Sequence, residues 1–532
     1  MKKRAMTLFL AAVLAGCAPA VKDKPATAPG AAEADKMMAE AAASAGRGTY
    51  LALKNACRLY GELYALPRTK KAAAPVYVQA LFRLALREKE VGIPGGKPLS
   101  TCSLVVKENP TLAGWATWLS LADRIPSRVK GVVKDVALGV PPLPSRSEPR
   151  RNWEEEMKKQ AEEAKKTEED IKQRALQDEF FAYFYLARRC GSASFYDKKD
   201  DVDQILRRFP ESLQIRYRAA FCPRPDEAEF KAVLEAEPEF VEVYGLLGEA
   251  ALGGGNLLTA EKNILLAYEK IPESPHYAIL LASIYFLTEE FERAIEFCDK
   301  AIEIVPEYRD AYLTKAIGLS YLQRYPEAIE VLNKIVAMQY YLLGESHYWL
   351  AWNYHELKDN VQAQLHIEES KGRLPTNSEV FGLAGTIALE RDEIDRAEKE
   401  FSEALKYNEA NTEALFGLGA VADRRSRWPD GAGFYEKAAA ALVLNETSLE
   451  EKIAQIKAAP MDEARRAKMI AKKENQIRIV QATRAMAYYN AAADWANAGA
   501  VAKAVPLAEK AAAHPQFREK ATDLLSRLKK SA

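Results

Sequence analysis

Small residues return along the second half of the chain at an almost constant interval. Gly248, Ala282, Ala316, Ala351, Gly385 and Gly419 are spaced 34, 34, 35, 34 and 34 residues apart. Twelve residues after each stands another small residue: Ala260, Ala294, Ala328, Ala363, Ala397 and Gly431. Seven further on are Ala267, Ala301, Ile335, Ser370, Ala404 and Ala438, and between these two positions lies a large one: Ile264, Cys298, Leu332, Ile367, Phe401 or Tyr435. Pro272, Pro306 and Pro375 close three of the units. The pattern predicts two antiparallel helices per unit. Small residues mark close helix approach, the large one fills the gap, and proline ends the second helix. No such unit buries its apolar face alone, so neighbours must stack.

This 34-residue pattern resembles the tetratricopeptide repeat (TPR). The resemblance implies an all-α, superhelical solenoid of antiparallel helix pairs, with six units at 241–274, 275–308, 309–342, 344–377, 378–411 and 412–445. It also implies that positions 2, 5, 9, 12 and 13 of each unit line a concave groove. On this chain those positions include Ile279, Ser283, Phe286 and Leu287; Leu313, Ile317, Ser320 and Tyr321; Tyr348, Trp352, His355 and Glu356; Thr386, Leu389 and Glu390; and Phe416, Asp423 and Arg424. The middle is aromatic and aliphatic and the far end charged, a surface suited to an extended peptide or an amphipathic helix. The Lys and Asn that clamp a peptide C-terminus in some relatives are missing.

Outside the regular units the signal weakens. Residues 179–240 read as degenerate repeats and 46–138 as a diverged helical domain, with Val76–Glu90 at helical spacing. Gly139–Arg150 is a proline-rich break, and 139–178 form a linker with a charged helix carrying Glu/Lys pairs at i,i+4. Past Asn445 the repeat is interrupted: Leu449–Ala458 and Met461–Ala493 read as helices. Residues 446–532 form an elaborated last repeat with a capping helix of polar outer face.

The first residues belong to no fold. Lys2, Lys3 and Arg4 precede a short apolar run, Thr7–Leu14, far below the roughly 20 residues of a spanning helix. Leu14-Ala15-Gly16-Cys17 resembles the lipobox of bacterial lipoproteins. That implies cleavage after residue 16 and acylation, palmitate included, on Cys17; several acyl chains anchor stably where one does not. Ala18 in place of Asp points to the outer membrane. Residues 17–45, rich in Ala, Pro, Lys and Glu, read as a flexible tether.

Composition narrows the function classes. With 75 basic and 75 acidic residues the chain has no net charge to attract nucleic acid. No phosphate loop, Cys-x-x-Cys or His-Glu-x-x-His is present, so no enzyme, cofactor, metal or small-molecule substrate is expected. His347, His355 and His366 share one unit but lack metal-ligand spacing. In an oxidising compartment Cys57–Cys102 and Cys190–Cys222 are candidate disulfides, while Cys298 occupies a core slot. Arg465, Arg466, Lys468, Lys472 and Lys473 face phosphate or lipid headgroups on one reading; diluted by Asp462, Glu463 and Glu474, they read better as a solvated helical face. The expectation is a non-enzymatic, lipid-anchored adaptor at the periplasmic face of the outer membrane. It would assist an envelope machine (pilus, secretion, polysaccharide-export or outer-membrane-protein assembly). The alternative is a regulator of peptidoglycan synthases or hydrolases.

Overall fold

The computed structural model describes residues 29–123, 125, 150–189, 199–220, 226–338, 343–459 and 461–531. The expected leader, Cys17, most of the proline-rich break, Cys190 and Cys222 lie outside them. Every regular element among the described residues is helical. The chain divides into two compact units: residues up to Ile284 with Lys300–Tyr308, and Tyr285–Asp299 with the chain from Arg309 onward.

In the first unit α1 (Ala31–Arg47), α2 (Tyr50–Ala65), α3 (Lys70–Val91), α4 (Lys97–Glu108) and α5 (Trp115–Asp123) are followed by α6 (Arg150–Ala175), α7 (Glu179–Arg189), α8 (Lys199–Arg208), α9 (Leu213–Ala220), α10 (Glu227–Ala236), α11 (Val241–Gly253) and α12 (Leu257–Lys270). The start of α1 corrects the expected tether. Alanine favours helix most strongly, and Ala34 and Ala41 are small enough to be buried as α1 packs against α2. The diverged N-terminal helices and the degenerate repeats share one core. Arg87 of α3 is fully buried and stacks on the rings of Tyr183, Tyr217 and Phe240 at 4.8, 4.5 and 5.0 Å. Its Nε donates to the Gly48 carbonyl, and Glu90 accepts from it at 2.8 Å while pairing with Arg218 at 3.0 Å. A buried charge this deep requires such pairing.

The expected Cys57–Cys102 bridge is not formed. α3 packs against both α2, which carries Cys57, and α4, which carries Cys102. Cys102 turns to α3 and donates to the Val78 carbonyl, and burial pushes its thiol up to about 12, so it stays protonated. Cys298 is buried, as its core slot predicts.

The division between the units passes through the helix pair α13 (Pro275–Leu287) and α14 (Phe291–Ile304). The second unit continues with α15 (Arg309–Tyr321), α16 (Tyr325–Ala337), α17 (Leu343–Glu356), α18 (Asn360–Arg373), α19 (Ser378–Glu390), α20 (Ile394–Tyr407), α21 (Thr412–Arg424), α22 (Trp428–Ala458), α23 (Glu463–Asn497), α24 (Val501–Ala512) and α25 (Arg518–Ser531). The small-against-large logic holds. A Cβ on Gly385 would stand 2.5 Å from the Phe401 ring, and one on Gly419 2.5 Å from the Tyr435 ring. Each turn between the two helices of a pair contains one left-handed residue: Gly255, Glu289, Gln323, Lys358, Asp392 and Ser426. The next backbone N–H closes six residues, as Arg324 N to Leu319 O and Arg427 N to Ala422 O, both 2.9 Å.

Gly499 adopts the same left-handed conformation at φ 73°, and Ala500 N donates to Trp495 O. Ala492, Ala504 and Ala511 are all fully buried and hold the small-residue positions of a seventh pair. This turn follows Ser426 by 73 residues, 39 more than the regular step. The extra residues lengthen the second helix of the sixth pair and the first helix of the seventh. α22 therefore runs unbroken from Trp428 to Ala458, where a break and a separate helix were expected. The result is a helical arm on which α22 and α23 lie together, closed at its tip by Arg466 donating to the carbonyls of Ala459 and Met461.

Candidate functional site

Aromatic side chains on the first helices of successive pairs, with Phe291 and Tyr325 from the starts of second helices, touch in series. Phe286 and Phe291 meet at 5.4 Å, Phe291 stacks on Tyr321 at 4.9 Å, and Tyr321 meets Trp349 edge-on at 5.8 Å. Trp349 in turn contacts Tyr348 at 5.4 Å and Trp352 at 5.6 Å, and Trp352 contacts Tyr325 at 5.7 Å. Much of this is not core: Leu287 is 57% and Tyr321 52% exposed, while Tyr348 and Trp352 are half-buried. A ladder of touching rings holds itself rigid, so it offers area to a partner at little entropic cost.

Beside the rings stand carboxylates. Burial first, and then the charges of Glu379 and Glu289, raise the Tyr321 hydroxyl pKa. Burial, Glu379 and Glu413 raise that of Tyr348. Glu413 is exposed to solvent and lies against Gly382 and Thr386 of α19. Desolvation there, with Glu379 adding to it, raises its carboxyl against the opposing bond from Thr386 Oγ1 at 2.6 Å and the nearby His355. Glu379 and Glu413 are the second residues of their units, a groove position by the repeat's own numbering. Reading that position in the fifth and sixth units finds them from sequence.

The arm closes one end of this strip. Lys473 Nζ donates to Glu289 at 2.6 Å, Gln476 Nε2 to the same carboxylate at 3.1 Å, and Lys472 Nζ to the Glu289 carbonyl at 2.6 Å while lying 4.6 Å over the Phe291 ring. Arg465 binds Glu290. Burial opposes ionisation of both glutamates, but these bonds outweigh it and hold both carboxyls below the ordinary range. The basic stretch is thus no free solvated face: three of its five cations are committed to the turn of the second pair.

The other expected groove residues divide. Leu313 packs against the core of the third and fourth pairs and Leu389 against that around Phe401. Ile317 is half-buried and Ile279 buried, the latter in the first unit. His355 is buried with Nε2 3.2 Å from Glu390. Phe416 is half-buried and packs with Phe434 and Tyr435 of α22 and Ala487 and Tyr488 of α23. Asp423 and Arg424 are taken by Tyr435 and Asp392. His347 and His366 stack and share a hydrogen bond at 2.9 Å, and burial with the neighbouring ring pushes His366 down to about 4. No group of metal-ligating side chains occurs among the described residues. Nor is any described helix long and apolar enough to cross a membrane. A separate open cleft in the first unit is lined by Trp115, Trp118, Asp170 and Arg174, but Arg174 pairs with Asp170 and stacks on Trp118.

A helix-pair stack with this spacing defines a tetratricopeptide-repeat scaffold, a framework for protein–protein contact. A family model agrees over part of the chain. Residues 383–442 match the tetratricopeptide repeat family model, and residues 255–335 match that of anaphase-promoting complex, cyclosome, subunit 3. Among curated proteins, human protein O-mannosyl-transferase TMTC1 is 22% identical over 197 residues, 36% of this chain and 22% of that protein. An uncharacterized protein of Methanocaldococcus jannaschii is 43% identical over 53 residues, 10% of this chain and 62% of that one. The chain thus spans under two thirds of either relative. Of solved structures, Pseudomonas aeruginosa pilF is 19% identical with a TM-score of 0.34, covering 37% of this chain and 89% of its own. YrrB, a TPR protein with an unusual peptide-binding site, is 19% identical with a TM-score of 0.29, covering 34% and 91%.

Proposed function

We propose that this protein is a non-enzymatic adaptor whose aromatic strip captures a segment of another protein. The observation that carries the reading is the half-exposed ladder from Phe286 to Trp352 on consecutive first helices. In the same proposal the chain is acylated on Cys17 and held at the periplasmic face of the outer membrane, where it assists assembly of an envelope machine of the pilus, secretion, polysaccharide-export or outer-membrane-protein class. The n-region, apolar run and Leu-Ala-Gly-Cys box support that address. The work of such a protein is to hold a partner at a fixed distance from the membrane, which a stack of rigid helix pairs does without chemistry.

The test is a photo-crosslinking residue at position 352 in living cells, with position 330, on the second helix of its pair, as control. An envelope protein joined from 352 and not from 330 supports the reading. Its loss in Cys17→Ser, together with failure of metabolic acyl labelling, supports the anchor. Crosslinks confined to the arm would overturn the docking role. Acyl labelling that survives Cys17→Ser would overturn the lipid site.

A further inference from the structure

We propose that the aromatic strip takes a lysine- or arginine-bearing segment of its partner, with cations set against Glu379 and Glu413 and their aliphatic stems on Tyr321 and Tyr348. This rests on the docking role proposed above and specifies the ligand.

The argument starts from an imbalance. Glu289 and Glu290, at one end of the strip, are neutralised by Arg465, Lys472 and Lys473. Glu379 and Glu413 have no ion pair with any described basic side chain; Glu413 has only the Thr386 hydroxyl and the buried His355 near it. Glu413 lies against α19, the helix that Glu379 opens: it accepts from Thr386 Oγ1, and a Cβ on Gly382 would stand 3.4 Å from its Oε2. The charge of Glu379 reaches both the Tyr321 and Tyr348 hydroxyls and that of Glu413 reaches Tyr348. Carboxylates crowded on a concave surface favour an arriving cation more than the same charges spread on a convex one.

The chain itself supplies the second observation. Lys472 lies over Phe291 while Lys473 binds Glu289 beside it: an ammonium over a ring face with a carboxylate alongside. Phe291 stacks on Tyr321, and Tyr321 lies within reach of both Glu289 and Glu379. The strip therefore continues past the arm with the same two groups, aromatic face and carboxylate, and without the cations. A partner segment that repeats what the arm does, one step further along, satisfies both acids and covers the exposed Tyr321 ring. An acidic segment would meet repulsion there, and a purely apolar one would bury the two carboxylates without partners.

The experiment is a random-peptide display selection on the full-length protein, followed by affinity measurement of one enriched peptide by fluorescence anisotropy. The variants are Tyr321→Ala, the pair Glu379→Gln/Glu413→Gln, and a control pair Glu330→Gln/Glu369→Gln on second helices, which removes equal charge elsewhere. The Gln changes are isosteric at exposed sites, and far-ultraviolet circular dichroism melts check that all variants fold alike. The expected result is enriched peptides with net positive charge, binding that falls at least tenfold in both Tyr321→Ala and the Glu379/Glu413 pair, and a change under twofold in the control pair. Peptides that depend on Tyr321 but are neutral or acidic, or that ignore the Glu379/Glu413 pair, overturn the cation assignment and leave the docking role standing. Selections that yield no Tyr321-dependent peptide overturn the docking role itself.

Discussion

Replacing Asp494 by Asn removes a pH dependence that the wild-type second unit carries. Asp494 of α23 is buried and hydrogen-bonded to Asp423 of α21. Asp423 also accepts from the Tyr435 hydroxyl at 2.8 Å. Gly431 lies against both acids: a Cβ there would collide with Asp494 Oδ2 and stand 2.9 Å from Asp423 Oδ1. Two carboxyls this close cannot both ionise without large cost. Burial first, and then Asp423, push Asp494 from 3.8 up to about 8. The folded state therefore holds a proton that the unfolded state releases near 3.8. Stability from this site is full below that value and falls as pH rises toward 8, by at most about 1.4 kcal/mol per pH unit. Between pH 5 and 7 the loss is at most about 3 kcal/mol. In Asp494→Asn the amide donates to Asp423 at every pH and the slope vanishes. Urea denaturation of both proteins at stepped pH tests this, read as the difference between them, in which other titrating groups cancel. The gap should close or reverse in favour of Asn as pH rises. Parallel curves across pH 5–8 would show that the two acids do not share a proton, and the reasoning would fail.

Further outcomes are expected. Phe401→Ala should cost about 3–5 kcal/mol, since its ring fills the space over both Gly385 and Gly417; thermal unfolding checks it. Gln323, at φ 60°, should tolerate Gly with a gain of at most about 1 kcal/mol, whereas Gly248→Leu, whose Cβ would sit 2.5 Å from Ile264, should lower the melting temperature of the first unit. Glu289→Gln with Glu290→Gln should speed amide exchange at 463–476 and leave 485–497 unchanged. Because both carboxyls sit below their ordinary 4.5 in the folded chain, acidifying the wild type through that range should release the same segment; equal protection of both segments throughout would refute the clamp.

The repeat register was legible in sequence because it is local physics. A small residue facing a large one every 34 positions is the imprint of two helices meeting at fixed distance, so the spacing of Gly385 and Phe401 is enough to announce their contact. The aromatic groove positions followed from the same register, and reading its second position in units five and six adds Glu379 and Glu413. What the pattern could not carry was anything set by contacts distant along the chain. Glu289 meets Lys473 184 residues away, and Arg87 meets the rings of Tyr183, Tyr217 and Phe240, and its neighbour Glu90 meets Arg218, across segments that look unrelated in sequence. The 39 extra residues of the arm hid the seventh pair, because a periodicity search loses its phase at an insertion while the folded backbone recovers it at Gly499. Most consequentially, whether an expected groove residue is free or covered is decided by where other parts of the chain come to rest. Phe416 and Tyr348 hold the same position in their repeats, yet α22 and α23 pack against the first while the second stands in the aromatic strip beside Trp349. Local pairing made the helices and their order; long-range burial chose which of their faces remains for a partner.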